Sequence, residues 1–458
     1  MKSNWVNIQT FQSSEYEIHL PGNLISQYNE AEFIQHGLIK LPLAVKEVEE
    51  ETDELQNGTE LKPYTVLVSS ALIKKMFVIE GLPYRMLMKD QTLKLGPVTG
   101  ILVRNDRFTR KRRKPDIYSR LGGLFAVITL ELFSPEEGFT KGKVYHNKKW
   151  VETMIPLPEV LFVRCAMSKK RRKTILKEYN ERGGLVFNSN VYNKLIVETK
   201  VGKTKGLESN IIQSVELKSK KDVLSELDRH GDIIVKPKNG KKGNGIFFVK
   251  KVDETYHVYD YRGLKRCNYS VFSKRDFLTF LKTINLKSGR YLAQEWVKFI
   301  RKNGRPFDLR VYVQKRDQNK WVCSGMMARV AGKKQKITNR SKGGSFFTVD
   351  KVFSGYPKRK KQELVKKVSD FCERFCYALD ETFPNDHFAD IGMDVGIDKN
   401  EKVRFMEVNF IAQYQTIRFH DPELFNNLCW LPFIHATEYQ GFAVGKQQTN
   451  QSDLTKTG

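Results

Sequence analysis

The chain has 458 residues, 40% hydrophobic and 11% aromatic, which excludes a disordered polymer and is long enough that two or three domains are expected. Lys and Arg number 79 against 52 Asp and Glu, a formal charge of +27, so an anionic partner is expected: nucleotide, nucleic acid, acidic polymer or membrane surface. No apolar run nears the ~18 to 20 residues that cross a bilayer, and "MKSNWVNIQT" lacks a signal-peptide core, so a protein kept inside a cell, without a membrane span, is expected.

Residues 1–95 mix apolar runs such as "LIKLPLAV" and "YTVLVSSALI" with the acidic "EVEEETDEL" and read as a β-rich region without evident chemistry. From "LGPVTGILVR" through "GGLFAVITLELF" to "LPEVLFVRCA", alternating runs predict a small α/β domain over 96–190. Lys194 then stands where "FNSNVYNKLIV" turns from polar to apolar. "KDVLSELDRHGDIIVKP" predicts a helix stopped at His230-Gly231, then a buried strand ending at Pro237. Lys236 lies at the end of that strand, before "KNGKKGNGIFFV". No P-loop pattern is present, and a strand rather than a helix follows the glycines. Gly240, Gly243 and Gly245 therefore make a β-turn-β flap, either an exposed turn or a cover whose N–H groups meet phosphates with Lys236.

"FSKRDFLTFLKTI" predicts a short amphipathic helix, and "RYLAQEWV", "PFDLRVYVQ" and "WVCSGMMARV" predict strands. Asp308 and Arg310 share one face of theirs, as a surface ion pair or as site residues. Arg329 and the glycine-rich "ITNRSKGG", with Asn339, follow. "KRKKQELVKKVSDFCERFCYAL" predicts a long helix with one apolar face, which takes in Cys372 and Cys376; all six cysteines are spaced as reduced residues. A polar tail begins at Gly445 and is expected to be disordered.

"FADIGMDVGIDKNEKVRFMEVNF" predicts a hairpin. A turn centred between Asn400 and Glu401 pairs Asp398 with Val403 and Asp394 with Glu407, and Asn409 shares their face. Opposed side chains have Cβ atoms roughly 4.5 to 5.5 Å apart, and like charges so placed repel. No base stands at these three positions, so a divalent cation such as Mg²⁺, completing its shell with water and phosphate, resolves the conflict better than a solvated pair of acids.

The order of these features resembles the ATP-grasp superfamily. "LGPVTGIL", "IPLPEVLFVR", "PFDLRVYVQ…WVCSGMMARVA…ITNRSKGG" and "GMDVGID…FMEVN" narrow the resemblance, over residues 96–437, to the YheC/YheD group of endospore coat-associated proteins. The resemblance implies a fold mixing α+β and α/β architecture: a β-rich region (1–95), a pre-ATP-grasp α/β domain (96–190), a lid subdomain (191–290) and a central subdomain (291–440), the two subdomains gripping ATP, then a tail (441–458). It implies that Lys194, Lys236 and the flap glycines hold ATP phosphates, that Glu295, Trp296 and Val297 hold base and ribose, and that Asp394, Glu407 and Asn409 bind Mg²⁺ or Mn²⁺. Arg310, Arg329 and Asn339 then face the transferred phosphoryl group.

The implied activity is ATP-dependent carboxylate–amine ligation through an acyl phosphate, in the mother-cell cytoplasm or at the spore coat, on acids, amines, an acidic peptide or a coat protein. "NFIAQYQ" replaces the Pro-Gly turn that often follows Glu-x-Asn, which leaves the acceptor pocket undefined. The rival reading is a non-catalytic basic coat component binding an acidic polymer or nucleic acid through "RKRRK" (110–114), "KKRRK" (169–173) and "KRKK" (358–361). The lack of aromatic residues within these runs argues against nucleic acid.

Overall fold

Two antiparallel sheets, each packed by helices, carry the elements of most interest. The computed structural model describes residues 3–48, 63–105, 121–238, 244–262, 267–286, 289–316, 319–333 and 335–444. An eight-stranded sheet (residues 4–96) and a six-stranded sheet (98–187) precede them and share one apolar core. The second is parallel at its centre, Val98–Val103 lying between Leu124–Thr129 and Val160–Val163. "YTVLVSSALI" divides into the strand Tyr64–Ser69 and the helix Ser70–Met76, with Ser69 capping the helix through Leu72 N–H.

The third sheet runs Ser214–Leu217, Tyr291–Glu295, Asp232–Pro237, Phe247–Val252, Thr255–Asp260 and Asn268–Ser273 in spatial order. Alternation places Val235, Phe247, Val249 and Val258 on a face packed by the helices Lys220–His230 and Lys274–Lys282. The first helix starts where expected because Ser219 and Asp222 form a reciprocal capping box, and it ends at Gly231, φ 71°. Ile234, Lys236, Phe248, Tyr259 and Gln294 occupy the opposite face.

The fourth sheet orders Ser345–Thr348, Lys320–Val330, Arg305–Arg316, Asp390–Ile397 and Val403–Asn409. The long helix Lys358–Thr382 covers it with Leu364, Val368, Phe371, Cys372, Phe375 and Leu379, all buried, while Val365 lies at the margin. Among the described residues no disulfide joins the cysteines, and Cys372 and Cys376 belong to this core.

Pairing within the carboxylate hairpin differs in part from expectation. Gly392 faces Asn409 and Asp394 faces Glu407, but Val395 faces Phe405 and Ile397, not Asp398, faces Val403. Two shifts cancel. The turn is Asp398–Lys402, centred on Asn400: Asp398 accepts from the N–H groups of Asn400 (2.9 Å) and Lys402 (3.0 Å), and Glu401 takes φ 60°. A one-residue bulge at Met406 then restores the register at the carboxylates.

The helix Pro422–Tyr439 has no counterpart in the sequence reading. It buries Leu428 against the fourth sheet and Phe433 and Ala436 against the second, so both sides are apolar and no single stripe marks it.

Asn188 fastens the open end of the hairpin. Its Oδ1 accepts from the N–H groups of Ala389 (3.0 Å) and Asp390 (3.2 Å), and its Nδ2 donates to the carbonyls of Asp390 and Phe410, both at 2.7 Å. Its φ of 53° is one that Asn tolerates better than most residues. Arg164 reinforces the joint, its guanidinium bonded to the Asp390 carboxylate and the Ala412 carbonyl. Asn188→Ala strands these buried backbone groups and is expected to cost about 3 kcal/mol in urea unfolding; an unchanged midpoint would show that the hairpin is held elsewhere.

Candidate functional site

Two clusters face each other across the open faces of the third and fourth sheets. On the fourth, alternation brings Asp308, Arg310, Arg329, Asp394 and Glu407 to one face. Asp308 and Arg310 share that face as expected, yet they do not pair with each other. Each reaches across to a neighbouring strand, because the residue opposite is nearer than the one two positions along. Arg310 Nη2 donates to Asp394 Oδ2 at 3.0 Å and its Nε to Asp394 Oδ1. Arg329 Nη2 lies 2.8 Å from Asp394 Oδ2, and its Nε donates to Asp308 Oδ1 at 2.5 Å.

The convergence of acids is therefore partly neutralised by side chains that the hairpin does not contain. Burial raises the Asp308 carboxyl, with Arg329 acting against it, whereas Asp394, equally buried, is held low by Arg310 and Arg329. Glu407 is different: it makes no ion pair among the described residues and is open to solvent at the cleft floor. Its pKa is raised, first by the surrounding protein and then by Asp394 opposite.

On the third sheet Lys194 and Lys236 meet at Gln294, a residue the sequence reading passed over. Lys236 donates to Gln294 Oε1, and Lys194 reaches the same oxygen at 3.4 Å. Lys194 also donates to the carbonyl of Met406, the residue set out of the ladder by the bulge, and lies 3.3 Å from Glu198 Oε1. Crowding by protein and by Lys194 pulls Lys236 well below the ordinary lysine range. Lys194 thus links the clusters, contacting Gln294 and the carbonyl beside Glu407.

The other expected residues are more dispersed. Gly245 takes φ 76°, where a Cβ would lie 2.7 Å from Pro237 Cγ, so the flap base requires glycine; Gly240 and Gly243 lie outside the described residues. Glu295, Trp296 and Val297 follow Gln294 at the strand end. The Trp296 N–H is taken by the Asp232 carbonyl (2.9 Å), and its ring packs on Phe248 at 4.8 Å beneath the Lys336 ammonium. Glu295 lies 3.7 Å from Arg404 Nη2.

Asn339 does not join the arginines by hydrogen bonds; its carbonyl accepts from the N–H groups of Lys342 (2.9 Å) and Gly344 (3.1 Å). Its neighbour Thr338 is the residue that donates to Asp308. Gly344 is obligatory here, since a Cβ would fall 1.8 Å from the Thr338 carbonyl oxygen.

Among the described residues no group of three or more His, Cys, Asp and Glu could hold a metal ion. A site of two carboxylates and an amide needs oxygens from a ligand, which matches Mg²⁺ bound through phosphate. One feature fits it: Glu407 makes no ion pair among the described residues, and Asn409, opposite Gly392, shares its strand face.

A family model described as YheC/D-like ATP-grasp matches residues 183–437, more than half of the chain and all of both clusters. The endospore coat-associated protein YheD of Bacillus subtilis (strain 168) is 26% identical over 368 residues, 75% of this chain and 79% of that protein. YheC of the same organism is 23% identical over 303 residues, covering 63% and 81%. Among solved structures, the ATP-grasp ligase PsnB, complexed with a phosphomimetic variant of minimal precursor, Mg and ADP, is 14% identical, covering 75% of this chain and 98% of that one, with a TM-score of 0.41.

The raised Glu407 gives a signed expectation. Its folded pKa lies above the unfolded value, so it favours folding below the carboxylate range and disfavours it as pH rises through the folded pKa. Without nucleotide, Glu407→Gln should melt above wild type at pH 7, and the gap should close in acid. A lower melting temperature at pH 7 would mean that Glu407 supports the fold.

Proposed function

The chain belongs to the YheC/D-like ATP-grasp family, and on that premise we propose that it binds ATP with Mg²⁺ or Mn²⁺ and joins a carboxylate to an amine. The observation that carries the reading is the facing of the two clusters: lysines bridged by Gln294 on one sheet, arginines and carboxylates on the other, linked by Lys194.

In this reading Lys194 and Lys236 hold phosphate oxygens and the strand end Glu295–Val297 holds base and ribose. Asp394, Glu407 and Asn409 hold the metal, which when bound offsets charge on the phosphates. A substrate carboxylate oxygen attacks the γ-phosphorus, the bond to the β–γ bridging oxygen breaks, and ADP leaves. An amine then attacks the acyl phosphate, loses its proton and expels phosphate. Arg310 and Arg329 are aimed at the face where this charge develops, held there by Asp394 and Asp308, and no side-chain nucleophile is required. The flap, based at Gly245, serves to keep water from the acyl phosphate. We further propose the spore coat and mother-cell cytoplasm as the setting, and an acidic peptide or coat protein as acid or amine donor.

Among the described residues no helix is long and apolar enough to cross a membrane. The rival role as a basic coat or polymer-binding component finds less support. "RKRRK" lies outside the described residues. Within "KKRRK", Arg171 donates to the Phe133 carbonyl and Arg172 to that of Ser189 (2.5 Å). Within "KRKK", Lys360 pairs with Glu401 and Lys361 with Asp350.

Lys236→Ala and Glu407→Ala should each weaken Mg-ATP binding roughly 10- to 100-fold, the worth of one charge-assisted contact or more. Screening amino acids and acidic peptides for stimulated ADP release by wild type identifies the substrates. Undiminished ATP binding in both variants would sink the nucleotide reading, and binding without ADP release under any acid and amine would favour a structural role.

A further inference from the structure

Glu198 enters no step above, yet it lies inside the phosphate-facing cluster. It is 6% exposed and Gln294 is 4% exposed. Glu198 Oε1 sits 3.3 Å from Lys194 Nζ and accepts from Gln294 Nε2 at 3.1 Å, while its Oε2 is buried without a hydrogen-bond partner. A carboxylate oxygen in that position is costly and needs a reason. Helix stability does not supply one, because Lys before Glu at i,i+4 is the weaker order for such a pair.

The orientation of Gln294 is fixed by chemistry. Its Nε2 donates to the Ile212 carbonyl at 2.6 Å, an acceptor that demands the NH₂ group, so Oε1 must face the lysines. One neutral oxygen is thus shared by two ammonium groups on separate elements, the helix Lys194–Lys200 and the strand Asp232–Pro237. Lys194 has Gln294, Glu198 and Met406 as acceptors, one for each of its N–H groups. Lys236 has Gln294 alone among the described residues and keeps donors for a ligand.

We propose that Gln294 and Glu198 form a resting latch on the phosphate-binding lysines. Gln294 is a positioning residue that sets the lysines at the spacing of a shared oxygen, and Glu198 is a counter-charge that an incoming anion must displace. A singly charged or neutral ligand gains too little from the lysines to release Lys194 from Glu198. A polyphosphate, with several oxygens and charges, gains enough, so the latch selects polyphosphates and sets how tightly they bind. The inference rests on the nucleotide reading for its biological ligand but not for its physics.

The test is calorimetric titration of the full chain with Mg-ATP, adenosine and inorganic tripolyphosphate. Glu198→Gln keeps an acceptor for Lys194 and Gln294, puts an NH₂ in place of the unpartnered oxygen, and removes the charge. It should bind Mg-ATP and tripolyphosphate at least fivefold tighter, with adenosine unchanged. Gln294→Met should bind both at least fivefold more weakly, again with adenosine unchanged. Gain of affinity is the outcome that a merely structural Glu198 does not give, so equal or weaker polyphosphate binding by a folded Glu198→Gln overturns the latch. Should that variant not fold, unchanged polyphosphate affinity in Gln294→Met overturns it instead. Wild type that binds tripolyphosphate but not Mg-ATP would defeat the nucleotide reading and leave the latch standing; failure of every protein to bind either ligand defeats both.

Discussion

The opposition of Asp394 and Glu407 across two adjacent strands is the constraint around which the fourth sheet is arranged. Like charges so placed repel, and both residues sit where the surrounding protein raises the cost of ionisation. The sheet offsets this unevenly. Arg310 and Arg329 bracket Asp394, and Asp308 steadies Arg329 from behind, while Glu407 receives no direct partner among the described residues. One carboxylate is thereby fixed and ionised, and the other is left with unsatisfied charge at the cleft floor, where a cation would be stabilised.

The third sheet answers with cations. Lys194 and Lys236 converge on Gln294, and Lys194 spans to the carbonyl freed by the Met406 bulge. The bulge thus has two consequences: it restores the facing of the carboxylates and it turns a backbone acceptor toward Lys194. Arg310, Arg329, Lys194 and Lys236 stand against Asp308, Asp394, Glu407 and Glu198, so the side chains of the two clusters nearly balance in formal charge. The second sheet contributes rigidity rather than chemistry, with Asn188 and Arg164 holding the strand ends from outside both clusters. Since the same contacts fix Phe410 and Ala412, they also set where "IAQYQ" leaves the hairpin.

Much of this was legible beforehand. The stop at Gly231 and the apolar stripe of Lys358–Thr382 are local signals, and the matching elements form as read. The carboxylate pairing was correct for an incomplete reason, since the turn was misplaced by half a residue and the unforeseen bulge compensated. The helix Pro422–Tyr439 escaped because it is buried on two sides, which erases the periodicity that marks a surface helix.

Sequence alone determined which side chains share a strand face, because that follows from the two-residue period of an extended backbone. Asp394, Glu407 and Asn409, the order of the lysines and the Asp-x-Arg strand were all available on those terms. Which strand lies beside which was not, the hairpin apart, and most interactions that give the site its electrostatic character cross between strands or sheets, the Lys194–Glu198 pair within one helix being the exception. Arg310 with Asp394, Arg329 with Asp308, Gln294 with both lysines and Asn188 with the hairpin join residues 21 or more positions apart. Only the tertiary structure decided those pairings, since a hydrogen bond depends on separation in space and the chain's local pattern carries none of that information.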